Sequence, residues 1–265
     1  MKQFHPASSP RPIPTAADFA SLLFPQRCPL CDGVLPFFPR LRSPLPAPGQ
    51  PDLWVHPSCL PERSREKGPL CFTCGRPLSG GEEEQCGRCR EKGFHFLQNR
   101  SLWLYEEPFR SAMVRFKYHG RQQYAVFFAR AWYGAFRTYL SQLDVQALIP
   151  VPIHRSRLRS RGYNQAALIA WELEKLSGIP CREDLILRIK QTGAQKDLGP
   201  QERLRNMENA FRLRKKPEGI SRVLLVDDIF TTGSTLESIS LVLWEAGIRE
   251  IYAATLCMAG PEDSG

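Results

Sequence analysis

Val223-Leu224-Leu225-Val226, followed at once by Asp227-Asp228 and then by Ile229-Phe230-Thr231-Thr232-Gly233-Ser234-Thr235, constrains this chain more tightly than any other stretch. An unbroken apolar run that stops at acids is the pattern of a strand buried on both faces in a parallel sheet, with the acids at its carboxyl end. In open α/β sheets that end is where ligands bind. Thr231 to Thr235 supply closely spaced backbone N–H groups and hydroxyls, and Gly233 permits the tight turn that opens a helix running to about Gly247. Such a nest at a helix N-terminus holds a phosphate.

The two acids need a separate reason, because carboxylates repel the phosphate beside them. Asp227 and Asp228 lie about one sugar length from a phosphate held by Thr231 to Thr235, where they accept hydrogen bonds from vicinal ribose hydroxyls or share a Mg²⁺. The plain alternative is a strand-to-helix turn with an Asp N-cap, which needs one acid and no hydroxyl-rich loop.

Upstream, strand and helix patterns alternate, as they do in a parallel α/β sheet. Ser101 to Tyr105 reads as a strand, and Phe109 to Lys117 and Tyr124 to Leu140 as helices with apolar residues at helical spacing. Their many aromatics read as core rather than as a base-stacking platform. Ala147 to Val151 is a strand that leads into a loop dense in Arg155, Arg157, Arg159 and Arg161, and a helix runs from about Tyr163 to Ser177. Asp184 to Ile189 and Glu250 to Met258 are further strands, and between the first of these and Phe211 lies a long polar segment, Lys190 to Asn209. Lys117, just before the break at Tyr118-His119-Gly120, either faces the ligand or ends a solvated helix.

Between Cys28 and Cys89 the chain carries seven cysteines and His56 in four pairs at ligand spacing: Cys28/Cys31, His56/Cys59, Cys71/Cys74 and Cys86/Cys89. Eight such ligands suffice for two tetrahedral zinc sites, Cys₃His and Cys₄. Neighbouring pairs can share an ion, or the sites can be cross-braced; spacing permits both, and His56 can also be a bystander. No segment approaches the length of a membrane span, and the first 25 residues carry prolines and an Asp where a signal peptide needs an uninterrupted apolar stretch. That places the chain in the cytoplasm, where clustered cysteines bind metal rather than pair.

The run Val223 to Thr235 resembles the phosphoribosyl-pyrophosphate motif of type I phosphoribosyltransferases. Pro150-Val151-Pro152-Ile153-His154-Arg155, then Arg159, Arg161-Gly162-Tyr163-Asn164-Gln165, then Thr192, Gln195, Leu198, Arg203, Asn206 and Ala210-Phe211, together with the cysteine-rich start, resemble the ComF family over roughly residues 19 to 259. The resemblance implies an α/β fold: a Rossmann-like parallel sheet of type I phosphoribosyltransferase kind over residues 98–260. Before it comes a zinc-binding subdomain over 19–97 holding one or two Zn²⁺, with a Pro- and Ser-rich disordered tail over 1–18 and a short tail over 261–265. It implies Asp227 and Asp228 as catalytic residues, and phosphoribosyl pyrophosphate with Mg²⁺ as ligand, contacted by Asp227, Asp228, Thr231, Thr232, Gly233, Ser234, Thr235, Lys117, Arg155 and Arg161. The segment from Lys190 to Asn209 then matches the loop that closes over such sites. The proline-rich stretch Pro36 to Pro51 reads as a loop inserted in the first zinc site.

The family is associated with competence, the handling of incoming single-stranded DNA in natural transformation, with a helicase of the uptake machinery as a further partner. A net charge of +9 suits a strand of DNA tracked by basic residues between 100 and 161, and equally a small polyanionic substrate. The resemblance favours DNA. The other reading is a working phosphoribosyltransferase, for which the sequence reveals donor residues but no acceptor pocket.

Overall fold

The computed structural model describes residues 25–35, 54–60, 68–78, 83–190 and 210–260. Thr192, Gln195, Leu198, Arg203 and Asn206, the segments expected to be tails and the proline-rich stretch after Pro36 lie outside the described residues.

The fold is mixed α/β around a four-stranded, wholly parallel sheet, consistent with a Rossmann-like arrangement. Strands β1 (Gln98–Leu104), β2 (Ala147–Pro150), β5 (Arg222–Phe230) and β6 (Glu250–Met258) stand in the order β1-β6-β5-β2. The helices are α1 (Gly87–Lys92), α2 (Phe109–Tyr118), α3 (Tyr124–Leu143), α4 (Arg155–Arg161), α5 (Gln165–Ser177) and α6 (Ser234–Glu245), and a short 3₁₀ turn spans Pro57–Cys59. No helix among the described residues is long and apolar enough to cross a membrane.

The period-two alternation of a strand divides the core in two. Leu224, Val226, Ala254 and Leu256 point to one face, where Trp103, Phe109, Phe116, Phe127, Phe128 and Trp132 pack beneath α2, α3 and α5. Val223, Leu225, Ile251 and Ala253 point to the other, beneath Leu236, Ile239 and Leu243 of α6. Apart from Tyr118 at the end of α2, which is exposed, the aromatics of α2 and α3 are therefore buried or packed against the core, as their spacing implies; Trp103 stacks on Phe109 at 4.2 Å.

Two expectations are corrected. The arginine-dense segment after β2 is not a loop but the helix α4. His154 caps it, its Nδ1 accepting from the Ser156 backbone N–H at 3.2 Å, and Gly162 ends it at φ 83°. The strand expected from Asp184 to Ile189 is only β3 (Ile186–Arg188). It lies outside the parallel sheet, paired antiparallel with β4 (Phe211–Leu213) in a two-stranded ribbon.

The cysteine-bearing segments are built into this core. Cys28 belongs to the apolar cluster of the α2/α3 face, and Cys71, Cys74 and Cys89 to that of the α6 face. Asn99 of β1, fully buried, ties the second segment down. Its backbone N–H donates to the Thr73 carbonyl at 2.7 Å, its Nδ2 donates to the Cys74 carbonyl at 3.0 Å, and its Oδ1 accepts from Thr255 at 3.2 Å. Replacing Asn99 with Ala strands the Cys74 carbonyl and leaves the Thr255 hydroxyl with only its 2.6 Å contact to Ser101. Chemical denaturation should report a loss of about 2–3 kcal/mol, against about 1 kcal/mol for removing an ordinary exposed hydrogen bond.

Candidate functional site

The carboxyl ends of β2 and β5 are adjacent, and the chain leaves them toward opposite faces: β2 leads to α5 on one side, β5 to α6 on the other. That divergence opens a crevice between neighbouring strand ends, the place where ligands enter such sheets. Asp227 and Asp228 sit at the β5 side of it, the last residues before Ile229 and Phe230 close the strand.

Strand alternation sends the two carboxylates to opposite faces. Asp228 shares its parity with Leu224 and Val226 and so meets Lys117 at the end of α2, with Nζ 2.9 Å from Oδ1. Both side chains are largely covered, 18% and 14% exposed. Burial opposes the charge on Lys117, but the charge and hydrogen bond of Asp228, aided by Asp227, hold the ammonium above its ordinary pKa. The reading of Lys117 as a solvated helix end fails. Asp227 shares parity with Val223 and Leu225 and faces the ribbon side, where Arg188 of β3 lends it positive charge. Burial, with the neighbouring Asp228 charge, pushes Asp227 up to about 7, against the pull of the Asp228 backbone N–H at 2.8 Å, Lys117 and Arg188.

The loop after β5 turns at Gly233, φ 80°, which is the N-cap of α6. A side chain is excluded there twice over, since a Cβ would stand 3.0 Å from Phe230 and 3.2 Å from Phe94. Thr231 is exposed and Thr235 half-buried, whereas the hydroxyls of Thr232 and Ser234 are buried against each other at 2.7 Å. The Ser234 N–H, first in α6, reaches Thr232 Oγ1 at 3.4 Å, and the next amides of that first turn have no intrahelical acceptor, the arrangement that suits an anion.

Residues within and just after the second cysteine cluster brace this loop from behind. Phe94 packs on Gly233, Arg76 donates to the Thr231 carbonyl at 3.4 Å, and Glu237 in the first turn of α6 accepts from the His95 backbone N–H at 2.8 Å and contacts its ring Nδ1 at 2.5 Å. A groove of about 640 Å³ lined by Phe94, Phe211, Thr232, Ser234 and Leu241 lies on that side, and it shares no lining residue with the cleft described next.

In front, Lys117 lines a cleft of about 360 Å³ together with Tyr118, Gly120, Arg157, Ser160 and Arg161. Of the arginines named from sequence, Arg161 lines the cleft, while Arg155 is exposed at the start of α4. Arg157 and Arg188 were missed as site residues. Arg157 sits one helical turn from Arg161, a spacing visible only once α4 is recognised as a helix, and Arg188 ends a strand whose partner is remote in sequence.

The cysteines form the neighbour-paired clusters, not cross-braced ones: Cys28, Cys31, His56 and Cys59 in one, Cys71, Cys74, Cys86 and Cys89 in the other, the ligand atoms of each within 4.8 Å of one another. Cys74 and Cys86 Sγ are 3.8 Å apart, matching the edge of about 3.8 Å for a tetrahedron of Zn–S bonds near 2.3 Å. His56 belongs to the first cluster: Nδ1 faces Cys31 Sγ at 3.2 Å, and Nε2 lies 3.1 Å from the Val34 carbonyl, a contact that orients the ring as a metal ligand's second nitrogen commonly is. Backbone N–H groups of Gly33 and Cys86 reach Cys31 and Cys71 Sγ at 3.4 and 3.3 Å. Each cluster can hold one metal ion, and the donor sets are compatible with zinc. The first is seated on α2 and α3: Arg115 donates to the Leu30 carbonyl at 2.7 Å, and Asp32 accepts from Arg121 at 2.8 Å and from Tyr124.

No family model matches the chain. Among curated proteins it is similar to Competence protein F of Haemophilus influenzae, 35% identical over 197 residues that cover 72% of this chain and 85% of the relative. It is similar also to DNA utilization protein YhgH of Salmonella typhi, 31% identical and covering 73% and 86%, and to Competence protein ComFC of Bacillus subtilis, 29% identical and covering 75% and 81%.

The raised pKa of Asp227 has a consequence for ligand-free protein. Folded Asp227 keeps its proton up to about 7 while the unfolded group, with its ordinary value of 3.8, has already lost it, so stability attributable to this group falls as pH rises between those values. Asp227→Asn should match the wild type below pH ~4 and unfold at higher denaturant concentration above pH ~7. Denaturation midpoints measured at both ends of this range check the sign.

Proposed function

The chain belongs to the ComF family, and from that premise we propose that it is a competence or DNA-utilisation protein. Its strand-end site binds phosphoribosyl pyrophosphate or a related phosphorylated ribose together with Mg²⁺, and it handles single-stranded DNA. The sheet is of type I phosphoribosyltransferase kind, and the two cysteine clusters hold zinc. Support for the family's DNA role comes from the names of its relatives; support for the ligand comes from the site.

The observation that carries the ligand reading is the pairing of Lys117 with Asp228 at the β2–β5 crevice, directly before a glycine-turned helix start. The loop Thr231 to Thr235 at the start of α6 holds the 5′-phosphate, and Asp227 and Asp228 accept from the ribose hydroxyls. Lys117, Arg157 and Arg161 line the cleft that takes the pyrophosphate, and the guanidinium forks suit its oxygens; Arg155, exposed at the start of α4, lies outside that lining. Mg²⁺, when bound by the same carboxylates, neutralises pyrophosphate charge.

Asp227→Asn combined with Asp228→Asn should weaken phosphoribosyl pyrophosphate far more than inorganic phosphate, by about 1.5–3 kcal/mol for each lost charged hydrogen bond. Calorimetric titration of both ligands reads this directly. Equal losses for the two would mean that the acids do not face the sugar.

Asp227 favours a second reading, an active phosphoribosyltransferase, because a carboxyl that titrates near 7 is suited to accept a proton from an incoming base or amine. Pyrophosphate released from the donor in a screen of bases and amines distinguishes this from binding alone.

Zinc is tested by its stoichiometry. Protein purified without added metal should carry two zinc ions per chain, and stripping them should unfold residues around both clusters, since such ions contribute about 10 kcal/mol or more to the folding of their sites. A metal-free chain that melts in the same single transition would exclude a structural metal.

A further inference from the structure

Tyr118 stands apart from the other aromatics of its region. Trp103, Phe109, Phe116, Phe127, Phe128 and Trp132 are buried, whereas Tyr118, the last residue of α2, is 67% exposed, more than any other aromatic side chain among the described residues. Its ring is nonetheless held. The Arg161 guanidinium lies over it at 4.9 Å from the centroid, and Arg161 is fixed in turn by donating to Oε1 of the buried Gln165 at 2.6 Å. Gly120, at φ 67°, turns the chain away directly after α2. The result is a rigid aromatic plane with one cation behind it, set in the cleft shared by Lys117, Arg157, Ser160 and Arg161.

Rigid aromatics backed by arginine and bordered by cations are how proteins hold nucleobases without reading their sequence. The cleft volume of about 360 Å³ accommodates a single base rather than a duplex. Through Lys117 the cleft adjoins Asp228, so a base stacked on Tyr118 lies beside the site assigned to the ribose.

We infer that Tyr118, oriented by Arg161 and Gln165, is a stacking platform for a nucleobase, supplied free or as part of a single strand. The inference rests on the reading of the neighbouring crevice as a phosphorylated-ribose site in a DNA-handling protein, and it adds the residue that touches the base.

The test uses the full chain with its native metal and the variants Tyr118→Ala and Tyr118→Trp. Each is titrated with oligothymidylate, with an abasic phosphodeoxyribose strand of equal length, and with free nucleobases in the presence of phosphoribosyl pyrophosphate. Loss of the ring should weaken the base-bearing ligand about 5- to 150-fold, leave the abasic strand within about twofold, and be restored by Trp. Loss confined to oligothymidylate assigns a strand as the source of the base, and loss confined to free bases assigns an acceptor. Unchanged affinity of Tyr118→Ala for both, an equal loss for the abasic strand, or no binding of either base-bearing ligand by the wild type overturns the inference. Donor affinity is titrated separately. A wild type that ignores phosphoribosyl pyrophosphate defeats the ribose reading, while the difference between base-bearing and abasic strands still reports on Tyr118.

Discussion

Everything in the crevice follows from a strand that is apolar on both faces for four residues and then becomes charged without changing its period. β5 cannot stop alternating at Val226, so Asp227 and Asp228 are dealt to opposite sides of the sheet, each toward a cation from a different part of the chain. Lys117 arrives from α2 and Arg188 from the ribbon, which means that the electrostatics of two adjacent residues depend on both halves of the core being assembled. The pair is unequal. Asp228 has a partner in direct contact, while Asp227 is left with burial and a neighbouring like charge, and its proton stays on to near neutrality.

The cysteine clusters divide along the same plane. One is sunk in the apolar mass under α2 and α3 and reaches the end of α2 through Arg115, Arg121 and Tyr124; the other joins the α6 face and stands behind the glycine turn through Arg76, Phe94 and His95. A segment with little apolar mass of its own would gain rigidity from a metal ion held by such a cluster and lend it to the element it touches. Here those elements are the two that flank the crevice, α2 with Lys117 and the glycine turn before α6.

Much of this was legible in the chain because it depends on local periodicity or fixed spacing. The double-faced run of β5, the apolar spacing of α2 and α3 and the four ligand pairs each declare themselves within a dozen residues. What was not legible depends on contacts distant in sequence. α4 carries almost no apolar periodicity, with only Leu158 among its arginines and serines, and it forms because His154 and Gly162 fit its two ends. β3 looks like another sheet strand until β4 pairs with it from beyond the long polar segment. Lys117 offered two readings from sequence because nothing near residue 117 announces Asp228, and Arg157 and Arg188 carry no local sign of what they face. Pairing of the cysteines was open for the same reason: equal spacing says nothing about which pairs meet.

The hydrogen bond from Asn99 to the Thr73 carbonyl has a further meaning for the protein as a solute in a crowded cell. β1 is the outermost strand of its sheet, and the second cysteine segment meets its free edge, occupying the Asn99 N–H that would otherwise be open to a strand from another molecule. Cover of this kind is only as durable as the cysteine cluster that shapes the segment over it. Were that cluster to hold a metal ion, losing it would loosen this cover together with the local fold and expose a template for intermolecular β-pairing.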